Sequence, residues 1–395
     1  MDLSFGPEYQ AFRKRVRDFL DAYSERAPSS SMRVVEHGDR LLEWQKLLIE
    51  HGYAARTIPR EYGGFGAEPD LLETIIIAEE FHAARVSQGI VGQGINMLVP
   101  TLLQYGTEGQ KRRYVPPTIR GEMIWCQGYS EPDAGSDLAS LRTSAVLEGD
   151  EFVINGQKIW TSTAEAADMM FIMVRTESDA PKHKGISYMV VSMDTPGIEV
   201  RPLRTMIGTA NFNEVFLRDV RVPRSNLIGE RGQGWEIGKT TLVHERNFLG
   251  STSQTETMFQ HCIDVLRDYG KLDDPVYRDR LMTLQARVLS MKYHALRLLT
   301  DKLKARSSGP AGLVTKLNGC QLNNDICALA LDAMEEFGLL RGKSLHARER
   351  GVWQNQYMFQ LGMIIGGGTA QIQKNIISEI GLGMPREPQQ TAGEG

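Results

Sequence analysis

Residues 128–140 read Gly128-Tyr129-Ser130-Glu131-Pro132-Asp133-Ala134-Gly135-Ser136-Asp137-Leu138-Ala139-Ser140 and begin just after the apolar stretch Met123 to Cys126. Small, hydroxylated and acidic side chains gather around Pro132 and Gly135. That composition predicts a strand running into a tight loop, whose hydroxyls and backbone amides are free to hold a polar ligand. The flanking sequence decides what kind of fold carries this loop.

Upstream, apolar residues recur at helical spacing. Phe12, Val16, Phe19 and Leu20 make one stripe of a helix over Tyr9 to Tyr23, with Arg13, Lys14, Arg17 and Asp18 opposite. Leu41 to Ile49 and Leu71 to Arg85 repeat the pattern, and Arg60 to Gly66 is a loop. Its glycines are not a dinucleotide fingerprint, because no strand precedes them and their spacing is wrong. The period changes near Glu122. Glu151 to Ile154 and Gln157 to Trp160 predict two short strands joined by an Asn155-Gly156 turn. Met169 to Arg175, Gly185 to Met193 and Glu214 to Val222 are further strands, which together predict an antiparallel sheet or barrel. Helical periodicity returns after Trp235, interrupted near Pro275 and at Ser307 to Pro310. The expected fold class is α+β: an N-terminal α-helical domain (1–121), a central antiparallel β-sheet or barrel domain (122–234) and a C-terminal helical bundle (235–395).

Near the end, Gly366-Gly367-Gly368-Thr369-Ala370-Gln371 opens a last helix. Thr369 is placed to cap it, with Ile372, Ile376 and Ile380 on one stripe and Gly381 closing it. A glycine run at such a point offers free amide donors to an anion. The tail Glu387 to Gly395 has the composition of a loose end.

The chain of 395 residues is long enough for two or three domains with substantial cores. A net charge of −4 argues against nucleic acid as an obligate partner. No apolar run is long enough to span a bilayer, and the start lacks the layout of a secretory signal. Cys126, Cys262, Cys320 and Cys327 have no paired short spacing, so buried thiols in a reducing compartment are expected and the cytoplasm is the default. No metal site is expected: His244-Glu245 is followed at 248 by Phe rather than a second His.

The 128–140 loop resembles the signature of the acyl-CoA dehydrogenases, flavoproteins that desaturate acyl-CoA thioesters. Tyr129 departs from it, since the family usually has an aliphatic residue there. The resemblance spans all three parts of the chain and implies that the last is a four-helix bundle. It implies FAD as cofactor, with Gln127 and Ser130 contacting the flavin and Ser136 the acyl-CoA. A Trp at a strand end alone reads as core. Lys158-Ile159-Trp160-Thr161-Ser162-Thr163, however, matches the family's flavin-flanking segment. That match implies Trp160 beside the flavin ring, with Thr161 and Ser162 both candidate hydrogen-bonders to its polar edge. Gly368, Thr369 and Gln371 match a Gly-Thr-x-Gln element that approaches FAD.

Many family members carry their catalytic Glu just before that Gly-Thr, where this chain has Gly367. Removing an α-proton from a thioester needs a positioned base, best a carboxylate whose pKa burial has raised. In a subset of the family the base stands on an earlier helix, in a segment that corresponds here to Thr241-Leu242-Val243-His244-Glu245-Arg246-Asn247-Phe248-Leu249. Glu245 falls at that base, with Arg246 beside it as a substrate contact; read without the family, the two are solvated helix charges.

The resemblance also implies an oligomer in which one subunit completes a neighbour's FAD site. Two segments that usually do so are altered: Leu266 to Pro275 has no convincing equivalent, and Asp332 to Gly338 puts carboxylates where a pyrophosphate should approach. The expectation is an α2β2 assembly with a homologous partner subunit, or otherwise a homo-oligomer. Its expected electron acceptor is an electron-transferring flavoprotein. A branched or steroid side-chain acyl-CoA fits the displaced base by analogy. Alternatives are a non-catalytic subunit and an oxygen-using flavin oxidase or monooxygenase of the same fold.

Overall fold

The structure is a computed structural model that describes residues 6–28, 38–249, 252–306, 309–342 and 344–386. The expectation for the 387–395 tail lies outside those residues. The chain divides into two compact units, Met1–Glu245 and Arg246–Gly395.

In the first unit, helices α1 (Pro7–Tyr23), α2 (Asp39–Glu50) and α3 (Leu71–Ala83) share one core. The expected stripe Phe12, Val16, Phe19 and Leu20 is buried there against Trp44, Leu48, Ile76 and Phe81. Asp70 caps α3 by accepting from the amides of Leu72 and Glu73. Helices α4 (Val99–Tyr105) and α5 (Glu108–Ile119) follow, the latter opened by a Thr107/Gln110 capping box.

Eight strands come next: β1 (Trp125–Gly128), β2 (Ser144–Glu148), β3 (Glu151–Ser162), β4 (Met169–Arg175), β5 (Ile186–Ser192), β6 (Ile198–Leu203), β7 (Phe212–Pro223) and β8 (Leu227–Ile228). They form one sheet in the order β6-β7-β3-β2-β4-β5-β8, with β1 added on β4. Pairing is antiparallel except β1 with β4 and a single contact of β2 with β4. Strand β4 is apolar from Met169 to Val174 because both its faces are covered there. Met169, Phe171 and Met173 pack with residues of the preceding helices, such as Leu98, Tyr114 and Ile119. Met170, Ile172 and Val174 pack with Phe152, Ile154 and Val220 from the sheet itself. Each such side chain contributes about 1.5–3 kcal/mol on burial. Shared burial of this kind makes the first helices and the sheet one unit.

The Asn155-Gly156 hairpin is not formed. β3 runs through both residues as one strand, and the true reversal is at Gly149 and Asp150, between β2 and β3. The Asn155 amide group instead grips Asp219 on β7, donating to its carboxylate at 3.0 Å and accepting from its backbone N–H at 2.9 Å. Gly156 passes under Thr143, whose Oγ1 would lie 2.5 Å from an added Cβ. The register with β7 shifts there, so Asn-Gly makes a bulge rather than a turn.

The second unit holds α7 (Thr252–Asp268), α8 (Pro275–Leu303), α9 (Val314–Ala333) and α10 (Val352–Ile365), with α9 against each of the others. Phe259, Leu266, Leu284, Val288, Ile326 and Trp353 are among its core. A short helix α11 (Ala370–Ile376) ends in a π-turn over Ile377–Gly381, and the change of pitch leaves Ile380 73% exposed instead of on the expected stripe. All four cysteines are free and buried. Among the described residues no helix is long and apolar enough to cross a membrane, and no group of side chains is arranged to hold a metal.

Candidate active site

The 128–140 loop is fastened to the middle of β3. Glu131 is its knot, only 8% exposed. Its carboxylate accepts from the amides of Arg142 (2.6 Å) and Thr143 (2.9 Å) and from Lys158 Nζ (2.8 Å). Lys158 is wholly buried and also donates to the Tyr129 carbonyl at 3.1 Å. One residue further along β3, the Ile159 amide donates to the Ser130 carbonyl at 2.9 Å. Burial pushes the Lys158 ammonium down to about 8, against the pull of Glu131. Burial pushes Glu131 the other way, but Lys158, Thr143 and the Arg142 amide outweigh it and hold the carboxyl below its usual range.

Trp160 is the next residue. It sits at φ +60°, in the left-handed region that a bulky residue rarely occupies, where the register of β3 with β7 shifts a second time. The bulge turns its ring outward: Trp160 is 58% exposed and meets Phe212 edge-on at 6.0 Å. Ser162 is half-buried beside it, whereas the Thr161 hydroxyl is enclosed and without a hydrogen-bond partner. Gln127 on β1 is half-buried, Ser130 likewise, and Ser136 is exposed at the loop's outer turn. The structure thus brings Gln127, Ser130, Trp160 and Ser162 to one neighbourhood of β1, the loop and β3.

Helix α6 (Gly234–Leu249) starts against β5, where a Cβ on Gly234 would come within 2.6 Å of Ser187 Cα. Ile237 and Thr241, one turn apart, are fully buried. Glu245 follows Thr241 by one further turn of backbone; the side chains of Glu245 and Arg246 lie outside the described residues.

In the second unit, Gly367 (φ +66°) and Gly368 (φ +100°) bend the chain between α10 and α11. Lys316 of α9, 4% exposed, donates to the carbonyls of Ile364 (2.9 Å) and Gly368 (2.6 Å). Gln373 donates to the Gly367 carbonyl at 3.2 Å. A trans peptide points its N–H opposite its C=O, so the amides of Gly368 and Thr369 face away from these two side chains. Thr369 caps α11 through the Ile372 amide at 3.2 Å, and Gln371 is exposed. The acidic segment at the end of α9 is partly neutralised, with Asp332 bound by Arg280 at 2.6 Å and Glu335 by Lys271.

Sequence reasoning passed over Glu131, Lys158 and Lys316. A lysine alternating with apolar residues inside a strand was the available signal for Lys158. Nothing local marked Lys316, whose partners lie 48 and 52 residues away.

Comparison with known proteins identifies the family. Models of the acyl-CoA dehydrogenase N-terminal, middle and C-terminal domains match residues 6–122, 126–220 and 232–382. Acyl-CoA dehydrogenase IpdE1 of Mycobacterium tuberculosis is 36% identical over 352 residues, 87% of this chain and 88% of that protein. A solved Tcur3481-Tcur3483 steroid acyl-CoA dehydrogenase superposes with TM-score 0.82 at 31% identity, covering 98% of this chain and 100% of that one. The ChsE4-ChsE5 complex from Mycobacterium tuberculosis gives TM-score 0.79 at 30% identity, covering 98% and 100%. The chain belongs to the acyl-CoA dehydrogenase family, whose members are oxidoreductases.

Proposed function

We propose that this chain is a FAD-dependent dehydrogenase that introduces an α,β double bond into an acyl-CoA thioester, with a steroid or branched side chain as its acyl group. The observation that supports the reading best is the Glu131–Lys158 fastening, which presents Ser130 and the open face of Trp160 together. FAD fits the residues present and, when bound, supplies the hydride acceptor. Gln127, Ser130, Trp160, Thr161 and Ser162 would hold its ring, the enclosed Thr161 hydroxyl having no partner within the chain. Gly368, Thr369 and Gln371 offer a second donor set, in this chain or toward a partner's copy. Ser136 would contact the CoA ester and Arg246 the substrate. Glu245 would take the α-proton, because Gly367 supplies no carboxylate. An electron-transferring flavoprotein would be the acceptor, rather than oxygen.

The test is Glu245→Gln, which keeps shape and removes the base. Butyryl-CoA, octanoyl-CoA, isobutyryl-CoA and the CoA ester of a sterol side-chain acid are offered anaerobically, and loss of flavin absorbance is followed. Wild type should bleach with at least one and the variant should lose about 10³-fold or more in rate. A variant that keeps most turnover with FAD bound overturns the assignment.

We also propose a homologous partner subunit in an α2β2 assembly. Leu339, Leu345, Ile365, Leu382 and Met384 in the second unit are 53–98% exposed, an apolar load suited to burial against another subunit. Two of the structural relatives are named as pairs, Tcur3481-Tcur3483 and ChsE4-ChsE5. An active homo-oligomer with stoichiometric FAD, purified from this chain alone, would reject that assembly.

A further inference from the structure

Asn213 on β7 is fully buried. Its Nδ2 donates to the Thr161 carbonyl at 3.0 Å, while its Oδ1 has no hydrogen-bond partner among the described residues. Burial alone would favour a leucine of similar volume here, since an enclosed amide with a stranded acceptor costs stability. The side chain is understood through its donor and the carbonyl that it meets.

That carbonyl follows directly on Trp160. Thr161 and Asn213 stand opposite each other where β3 regains its register with β7, after the shift between Lys158 and Thr161. In a regular antiparallel pair, carbonyls lie in the plane of the sheet and side chains stand perpendicular to it. A side-chain amide on the opposite carbonyl is in keeping with a Thr161 carbonyl that the bulge has turned off the ladder. Two residues further on, Thr163 also has a left-handed backbone, φ +59°, and its N–H donates to the Asn211 carbonyl at 3.1 Å. Phe212, between the two asparagines, meets the Trp160 ring edge-on at 6.0 Å. On the other side of Trp160, Ile159 is tied to Ser130, and Lys158 to Tyr129 and Glu131. The strained Trp160 backbone thus lies between two fixed stretches, and strain of this kind persists only where its surroundings over-determine it.

We infer that Asn213 is a positioning residue: its amide holds the bulge in β3, and the bulge holds Trp160 outward. Without the donor the Thr161 carbonyl would be buried and unpaired, and the bulge would lose its advantage over a regular strand. A regular strand alternates its faces, so erasing a one-residue bulge turns Trp160 to the opposite face. The meaning of this for catalysis rests on the reading of Trp160 as the flavin's neighbour, whereas the bulge itself is tested without flavin.

Asn213→Leu keeps the volume and removes the donor, and Asn213→Ala removes it without crowding. Fluorine NMR of the full chain labelled with fluorotryptophan reads Trp160, assigned by Trp160→Phe, against the buried Trp44 and Trp125 as controls. In both variants the Trp160 resonance should shift or split while the two controls stay. Hydrogen–deuterium exchange of amides 159–163 should be about 10-fold or more faster. FAD affinity, measured by fluorescence titration, should fall about 5-fold or more in Asn213→Leu. Added to Trp160→Gly, the same change should cost less than about 2-fold, because Asn213 acts through the ring. A Trp160 resonance that stays in place in both variants overturns the inference. So does an equal loss of affinity with and without the tryptophan. Trp160→Gly separates the two claims: if it binds FAD as wild type does, the flavin reading of Trp160 fails, and the Trp160 resonance in the asparagine variants still decides the role of Asn213.

Discussion

Glu131→Gln is the sharpest probe of how the signature loop is held. The substitution keeps the side chain's shape and removes the charge opposite Lys158, which is 0% exposed. In the folded protein the lysine titrates near 8, against 10.5 for a free side chain. A lowered lysine pKa means that the proton opposes folding: the cost is full below 8, fades as pH rises and is gone above 10.5. At pH 7 that cost is on the order of 3 kcal/mol in wild type. Without Glu131 the buried lysine can shed its proton, which caps the cost at roughly 5 kcal/mol at pH 7. The lysine therefore accounts for only about 1–2 kcal/mol of the loss at pH 7, rising to about 3 kcal/mol at pH 6 and vanishing by about pH 9. Weaker bonds from the Arg142 and Thr143 amides add about 1–2 kcal/mol that does not vary with pH. Urea unfolding followed by tryptophan fluorescence measures the difference. It reports mainly on the first unit, because Trp44, Trp125, Trp160 and Trp235 lie there and only Trp353 lies in the second. The stability gap between variant and wild type should shrink steadily from pH 6 to pH 9. A gap that stays constant, or widens with pH, would refute the reasoning.

Two further substitutions test other parts of the site. Lys316→Met strands the carbonyls of Ile364 and Gly368, so FAD affinity measured by fluorescence titration should fall about 10-fold or more, and Lys316→Arg should recover part of it. Trp160→Gly relieves a left-handed backbone but frees the unfolded chain; thermal stability without flavin should change by less than about 1 kcal/mol, while FAD affinity drops through loss of the ring.

The first helices were legible because their burial is one-sided. Phe12, Val16, Phe19 and Leu20 had to face a core, and they do. Strands β4 and β5 were legible as largely apolar runs, although the runs alone did not say that one face would meet the N-terminal helices and the other the sheet's own residues. The Asn155-Gly156 pair was misread because local turn preference takes no account of a partner strand. Asp219, which claims the Asn155 side chain, is 64 residues away.

The site divides along the same line. The 128–140 loop, the Lys158–Ser162 segment and the Gly368-Thr369 element each carry their motif within a few consecutive residues, so the sequence alone identified the family. It could not say which way the side chains turn. A bulge at Trp160 decides that the ring looks outward, with Ser162 half-buried and the Thr161 hydroxyl enclosed. Nor could it show that Glu131 and Lys158 form a buried pair, or that the hydroxyls of Thr101, Thr241 and Tyr188 meet in the interior. Those groups come from separate elements, and only tertiary packing excludes the water that would otherwise satisfy each of them alone.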